Sequence, residues 1–267
     1  MSSSSPDLER ALSVARTAAA AAADIAMAHF RRPLEVERKQ DHSPVTEADR
    51  ACEREIRSQI EAAFPEHALF GEEYGQSGTH ECLWLIDPID GTRSFIRGLE
   101  FWSVQVALMV RGELVLGVSA APALGETAWA VAGGGAWLAD GLHDQRAARP
   151  LQVAATDSIE AMDVSFGNVR SLARSRRWAR VGELVTRASR TRGYGDFYPY
   201  HRLAAGGLDA VIESDVNILD IAALTVIVRE AGGTVSALDG APIGLETTGI
   251  LAATPALHPL LLSLLND

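Results

Sequence analysis

Cysteine is scarce in this chain of 267 residues; the two present are Cys52 and Cys82. Their separation matches neither a zinc site nor a redox pair. The reading is two buried free thiols, which suits a reducing compartment. A basic stripe is also missing. Lys and Arg number 24 against 35 Asp and Glu, a net charge of -11. That excludes the electrostatic footprint of a nucleic-acid binder. The densest basic run, Arg170, Arg174, Arg176, Arg177 and Arg180, reads as a solvated helix face. No run approaches the ~20 apolar residues of a membrane helix. The start, Met-Ser-Ser-Ser-Ser-Pro followed by Asp7, Glu9 and Arg10, lacks the basic opening of a secretory signal, and the alanines from Ala18 to Ala23 stop at Asp24. The expectation is a cytoplasmic protein.

What is present is ample apolar material, 47% of the chain, enough for one large domain or two tightly joined subdomains. Apolar residues at three- and four-residue intervals predict a helix over 7–31, starting near Ser5 or Pro6, whose alanines suit close helix packing. A second helix is expected over 46–63, with Thr46 as its N-cap and Pro65 ending it. Strands follow: Leu83–Ile86, Trp102–Val110 and Leu114–Ala120, the last two joined by a hairpin turn at Arg111-Gly112-Glu113. Thr127–Val131 and Ala136–Ala139 form a further pair. The intervening Gly133-Gly134-Gly135 reads as a turn, since the helix and lysine of a phosphate loop are missing. Beyond Arg149-Pro150 strands and helices alternate to the C-terminus, which predicts a layered α/β arrangement. The Ala-Ala-Arg-Pro stretch near 147–150 divides an N-terminal α+β part (1–150) from a C-terminal α/β part (151–267).

The segment richest in chemistry is Trp84-Leu85-Ile86-Asp87-Pro88-Ile89-Asp90-Gly91-Thr92. An apolar strand runs into two carboxylates three apart, and Pro88 stiffens the turn between them. Converging carboxylates are hard oxygen ligands of the kind Mg²⁺ takes. Gly91 and Thr92 offer backbone N–H groups that, at a helix start, cradle a phosphate. An isolated Asp-x-x-Asp would read better as a turn. Three other segments bear on it: Gly71-Glu72-Glu73 after an apolar run, Asp49 in the first turn of the second helix, and Asp220 at the start of an apolar helix. Taken singly, Glu72 reads as a solvated loop, Asp49 as a dipole partner and Asp220 as an N-cap.

Together, Ser43-Pro44-Val45-Thr46 with Asp49, Gly71-Glu72-Glu73, Asp87-Pro88-Ile89-Asp90-Gly91-Thr92 and Asp220-Ile221-Ala222-Ala223 resemble the inositol monophosphatase family of Mg²⁺-dependent phosphatases, over roughly residues 7–262. The resemblance implies an αβαβα sandwich with most metal ligands in the N-terminal part. It implies one metal on Glu72, Asp87 and the Ile89 carbonyl, and a second on Asp87, Asp90 and Asp220, with two or three Mg²⁺ ions in all. Asp49 and Thr92 would position and deprotonate a water, with Glu72 and Asp90 also catalytic. Gly91 and Thr92 would hold the phosphate, and Arg93, Arg192, Asp196, Glu213 and Asp220 would bind substrate. Family members commonly form homodimers and take small phosphorylated substrates. One departure is Leu219, where the family often has Trp; it is read as a packing position.

The segment Gly195-Asp196-Phe197-Tyr198 resembles the histidinol-phosphatase branch, where inositol phosphatases typically show Gly-Ser-Ala-Ala. The chemistry agrees: a carboxylate at 196 pairs with the ammonium of histidinol phosphate, whereas inositol is a neutral polyol. Glu213 would add a second acceptor, and Arg192 would reach the phosphate or orient Asp196. Asp196 also reads as the N-cap of a following helix, and both roles can hold together. The rival readings are an inositol- or sugar-phosphate phosphatase on the same scaffold, and a non-catalytic binding member of the family, which the acidic charge disfavours.

Overall fold

The computed structural model describes residues 7–33, 36–38, 44–143 and 147–267. The first helix, α1 (Leu8–His29), starts at Asp7, whose carboxylate accepts the Arg10 N–H at 3.0 Å. Ser5 and Pro6 lie outside the described residues. By length and composition α1 is apolar enough to cross a membrane, which corrects the expectation that no such run exists: alanines raise the hydropathy along all its turns. Ala11, Ala15, Ala18, Ala19, Ala22 and Ala26 are nevertheless fully buried, and α1 packs on the next helix and on the sheet beneath, as a core helix does.

Strand β1 (Val36–Arg38) pairs with β2 (Pro44–Thr46). Then come α2 (Glu47–Ala63), β3 (Ala68–Gly71), β4 (Gly75–Ser77), β5 (Cys82–Asp90), α3 (Thr92–Ile96), β6 (Ser103–Val110), β7 (Glu113–Ala121), β8 (Glu126–Val131), β9 (Gly135–Asp140) and β10 (Arg149–Pro150). Strands β3 to β10 form one sheet in the order β10-β9-β8-β7-β6-β5-β3-β4. Its β6–β7 hairpin turns on two residues, Arg111 (φ 52°) and Gly112 (φ 86°), not three. Positive φ at both central positions matches the twist of the flanking strands.

The rest of the chain supplies β11 (Asp163–Gly167), α4 (Val169–Arg174), α5 (Trp178–Arg187), β12 (Arg190–Arg192), α6 (Tyr198–Ala204), β13 (Ala210–Ser214), α7 (Ile218–Glu230), β14 (Thr234–Ala237), β15 (Gly249–Ala253) and α8 (Leu257–Asn266). The five strands order as β12-β11-β13-β15-β14. Helices α1 and α2 cover one face of the large sheet, and α7 packs on its other face beside α6. Both also contact the small sheet, whose outer side carries α4 and α8, with α5 packed on each of those two. The result is the expected αβαβα sandwich. Of the arginine run, Arg170 and Arg174 lie on α4, Arg180 on α5, and Arg176 and Arg177 between them; Arg177 departs from the solvated reading, since its guanidinium donates to the Leu238 carbonyl and to Asn266. Both cysteines are buried and free, as expected.

Helix α7 sits in the middle layer, and the sequence accounts for it. Every residue from Ile218 to Val228 except Asp220 is buried, the pattern of a helix covered on all sides. Its C-terminal Glu230 accepts the N–H groups of Gly133 and Gly135 at 3.0 and 2.9 Å, so the glycine triplet is a turn that also ties β8–β9 to α7. On β7, Gly117 lets the two backbones touch. A Cβ there would lie 2.4 Å from the Ala223 carbonyl oxygen and 2.7 Å from its Cα. Neither backbone can yield cheaply, so Gly117→Ala is expected to cost about 1–3 kcal/mol, as overpacking does. A lower urea midpoint at unchanged m-value checks this.

Candidate active site

The site begins with an irregularity in β5. Asp87 pairs with Gln105 and Asp90 with Ser103, so three steps along β5 match two along β6. In an unbroken strand, residues three apart face opposite sides. The extra residue brings Asp87 and Asp90 together, as β-bulges re-aim side chains. The turn expected after Ile86 is therefore a bulged continuation of the strand through Asp90. Pro88, which has no N–H to give a ladder, occupies the irregular stretch. The Ile89 N–H donates to Asp87 Oδ1 at 3.0 Å. Ser103 and Gln105 on β6 lie 3.4 and 3.5 Å from Asp90 Oδ2.

Two helix starts supply further carboxylates by the same device. In α2, Thr46 is the N-cap and Asp49 is N3; the Thr46 N–H and hydroxyl donate to Asp49 Oδ2 at 2.8 and 2.6 Å. In α7 the N-cap is Asn217, not Asp220. Asp220 is N3, and its two oxygens accept the Asn217 backbone N–H and side-chain amide, both at 2.8 Å. These capping boxes hold each carboxylate in one orientation. Leu219 is buried, consistent with a packing position.

Glu72 lies in the turn after β3, which rests on a buried acid that sequence reasoning overlooked. Glu53 of α2 is fully buried and paired with Arg57 at 2.7 Å. Its carboxylate accepts the N–H groups of Glu73 and Tyr74 at 2.6 and 3.2 Å. Arg57 reaches on to the Gly75 carbonyl. Gly71 is required, because a Cβ there would lie 2.0 Å from Glu53 Oε1.

Opposite stand Asp196 and Glu213. Asp196 has φ 55°, a left-handed conformation that Gly, Asn and Asp adopt more readily than other residues. It does not cap α6: the cap position is Phe197, with no side-chain bond. Its carboxylate instead lines a cavity with Asp90, Tyr200, Glu213, Asp220 and Asn168. Glu213 on β13 accepts the Tyr200 hydroxyl at 2.9 Å. Glycines make room for it: a Cβ on Gly167 would lie 2.1 Å, and one on Gly195 2.9 Å, from Glu213 Oε1. Beneath α6, buried His201 bridges Glu126 and Ser119 at 2.9 and 2.8 Å, anchoring the helix that carries Tyr200.

The remaining expected residues fall as follows. Gly91 is left-handed (φ 84°), and a Cβ on it would meet the Phe101 carbonyl at 2.6 Å and Asp196 Oδ2 at 3.3 Å. Thr92 opens the five-residue α3 and donates to the Ile89 carbonyl at 3.0 Å, with Asp49 Oδ1 at 3.5 Å. Arg93 is exposed but close enough to lower the pKa of Asp196. Arg192 is exposed, and its guanidinium donates to the Thr191 carbonyl. Of the two arginines, Arg93 is the one whose charge bears on the Asp196 pKa. Besides Glu53, sequence reasoning missed Ser103, Gln105, Tyr200 and Asn217. The polar Ser103-x-Gln105 alternation inside an apolar strand was the available signal for two of them.

These carboxylates form one electrostatic group. Burial, then Glu72, Asp90 and Asp220, hold Asp87 well above the ordinary carboxylate range. Burial, then Asp196, Asp220 and Glu213, do the same to Asp90. Burial lifts Glu213 to about 8, with Asp196 and Asp220 adding to it against the Tyr200 bond. Burial also lifts Asp220 to about 7, and Asp196 to about 6 against the pull of Arg93. Asp49 is raised by burial and Glu72, against its bonds from Thr46. Like charges at such density are stable only when protonated or met by cations. An all-oxygen donor set of this kind fits hard divalent ions.

The sandwich and its acid-lined site together define a phosphomonoesterase. The chain matches the sequence profile of the inositol monophosphatase family over residues 7–267 and belongs to that family. Members generally depend on a metal ion, typically Mg²⁺. The chain is 37% identical to a histidinol-phosphatase of Streptomyces coelicolor, covering 98% of this chain and 99% of that one. It is 37% identical to a histidinol-phosphatase of Mycobacterium tuberculosis over 87% and 88% of the two. Among solved structures it is similar to the extragenic suppressor protein suhB from Bartonella henselae, with a TM-score of 0.87 at 26% identity over 96% of this chain and 98% of that one.

The raised carboxylates set a pH dependence. Glu213 moves from 4.5 to about 8, and Asp220 and Asp196 rise likewise from 3.8. The folded chain then binds more protons than the unfolded one between those limits, so their contribution is present below pH 4 and lost as pH rises through 6 to 8. In chelator, Tm is expected to fall from pH 5 to about pH 8, and Mg²⁺ to raise Tm more at the higher pH. Differential scanning calorimetry with and without Mg²⁺ reads both trends; a flat apo profile would count against the cluster's energetics.

Proposed function

We propose that the chain is a Mg²⁺-dependent phosphatase that hydrolyses L-histidinol phosphate to L-histidinol and phosphate, a step of histidine biosynthesis. The observation that carries this reading is Asp196. A carboxylate held in a left-handed conformation beside the acid cluster, rather than capping α6, is available to an ammonium on the substrate. The likeness to histidinol-phosphatases across nearly the whole chain supports it.

In this reading Glu72, Asp87, the Ile89 carbonyl, Asp90 and Asp220 hold two or three Mg²⁺ ions. When bound, these ions neutralise the phosphate and lower the pKa of water. The chain's own groups do the rest. Asp49, buried and with a raised pKa, takes the proton of the attacking water, and Thr92 orients that water. Gly91 and Thr92 direct backbone N–H groups at the phosphate, and Arg93 adds positive charge at its edge. Asp196 and Glu213 receive the amino-alcohol. A cytoplasmic homodimer belongs to the same reading, and light scattering after gel filtration checks the dimer.

Phosphate release from L-histidinol phosphate and inositol 1-phosphate, with Mg²⁺ and with chelator, is the direct experiment. The expected result is Mg²⁺-dependent release with kcat/KM at least about a hundredfold higher for histidinol phosphate, of the order that a pair of charged hydrogen bonds provides. Comparable turnover of inositol phosphate would move the chain to the general branch. Asp196→Asn is expected to raise KM for histidinol phosphate about tenfold or more, since one charged hydrogen bond contributes roughly 1.5–3 kcal/mol. An unchanged KM would remove Asp196 from substrate recognition.

A further inference from the structure

Asp196 is flanked in sequence by Tyr194 and Tyr198, and its left-handed turn brings their rings together. The two meet edge to face, with centroids 5.1 Å apart at 78°. Both also meet Phe101, whose ring lies 6.0 Å from Tyr194 at 25° and 5.2 Å from Tyr198 at 79°. This trio adjoins the site: the Phe101 carbonyl and Asp196 Oδ2 both crowd the side of Gly91 where a Cβ would stand. Tyr198 borders the core, and the cluster opens outward at Tyr194. Tyr194 is 37% exposed, and Phe101 and Tyr198 are only partly buried.

Tyr194 is nonetheless held firmly. The hydroxyl of Ser165, a fully buried residue, donates to the Tyr194 carbonyl at 2.8 Å, and the Tyr194 N–H meets the same oxygen at 3.0 Å. Tyr198 is fixed from its own side, with the Arg202 guanidinium 5.2 Å from its ring centre and tied in turn to Glu126. An exposed ring on an immobilised backbone is preorganised to bind, because little is left to order. Aromatic faces attract planar and cationic groups, and they offer a neutral polyol little beyond contact area.

We infer that Tyr194, with Phe101 and Tyr198 behind it, forms an aromatic wall that takes the flat ring of the substrate alcohol while Asp196 takes its ammonium, so that the wall selects phosphate esters carrying a planar heteroaromatic group. This rests on the histidinol-phosphate reading and extends it from one carboxylate to a surface. Tyr194 is a specificity residue: it touches the alcohol, not the phosphate, so its removal acts on KM and leaves kcat in place.

Two variants and two measurements test it. In steady-state phosphate release, Tyr194→Ala is expected to raise KM for L-histidinol phosphate about five- to tenfold, the size of one aromatic or cation–π contact. Tyr194→Phe stays within about twofold, and inositol 1-phosphate turnover by Tyr194→Ala changes by less than about twofold, because the polyol does not use the ring. Equal losses with both esters, or no loss with either, overturn the wall. Calorimetric titration of free L-histidinol, in Mg²⁺ and inorganic phosphate, reads the wall without turnover. Weakened binding in Tyr194→Ala but not in Tyr194→Phe supports it even if the wild type hydrolyses neither ester, a result that would defeat the function reading alone. Unchanged or undetectable binding overturns the wall even if the phosphatase reading stands.

Discussion

Mutual repulsion among buried carboxylates is the constraint that the rest of this structure answers. Asp49, Asp87, Asp90, Asp196, Glu213 and Asp220 all have raised pKa values, each first by burial and most by one another. Such a group is costly to assemble, since each ionised carboxylate removed from water loses several kcal/mol of solvation. The fold therefore places its acids by a few local devices. Capping boxes fix Asp49 and Asp220, a bulge aligns Asp87 with Asp90, and the buried Glu53–Arg57 pair builds the turn that bears Glu72. On the Mg²⁺ reading proposed above, bound cations would offset that cost and link stability to function through one equilibrium.

The layering explains how so many acids reach one place. Each carboxylate sits at the end or the irregularity of an element: the first turns of α2 and α7, the ends of β3 and β5, the loop before α6, and β13. Those elements belong to both sheets and to the helix layers between and outside them. Ligand sites favour such ends because backbone groups there are free and side chains can converge. The middle-layer helix α7 couples the halves most directly. It contacts β5 through β9 on one side and β14 and α6 on the other, and Asp220 is its one charged residue before the last turn. Gly117 marks how close that packing is.

On the proposed reading, substrate choice falls to a different part of the site from the acid motifs. The segment 194–200 contributes a left-handed aspartate, two rings and the Tyr200 hydroxyl; Tyr198 and Tyr200 lie on α6, which His201 pins to Glu126 and Ser119, and Tyr194 and Asp196 lie in the loop before it. Glu126 is held down at about 2: burial alone would raise it, and His201 and Arg202 outweigh that. A rigid support of this kind lets a few side chains change the accepted alcohol without disturbing the carboxylates.

Much of this was legible in the chain itself. Local pattern located α1, α2, the β5–β9 strands and the alternation after 150, because apolar periodicity and capping chemistry act over a few neighbours. The motif residues Asp49, Glu72, Asp87, Asp90 and Asp220 read singly as turn, loop or cap residues and became a set only through the family resemblance of the four motifs together. Other features depended on partners distant in sequence. That Asp87 and Asp90 lie in a bulged strand follows from pairing with Ser103 and Gln105, and that Glu53 supports Glu72 follows from a contact spanning about twenty residues. The charge of Arg93 near Asp196, and the three rings near that aspartate, likewise depend on where whole elements dock. The sequence by itself determined which residue types and local conformations were available; tertiary packing alone decided which buried groups share a space, because charge and steric coupling act through distance in the fold and not along the chain.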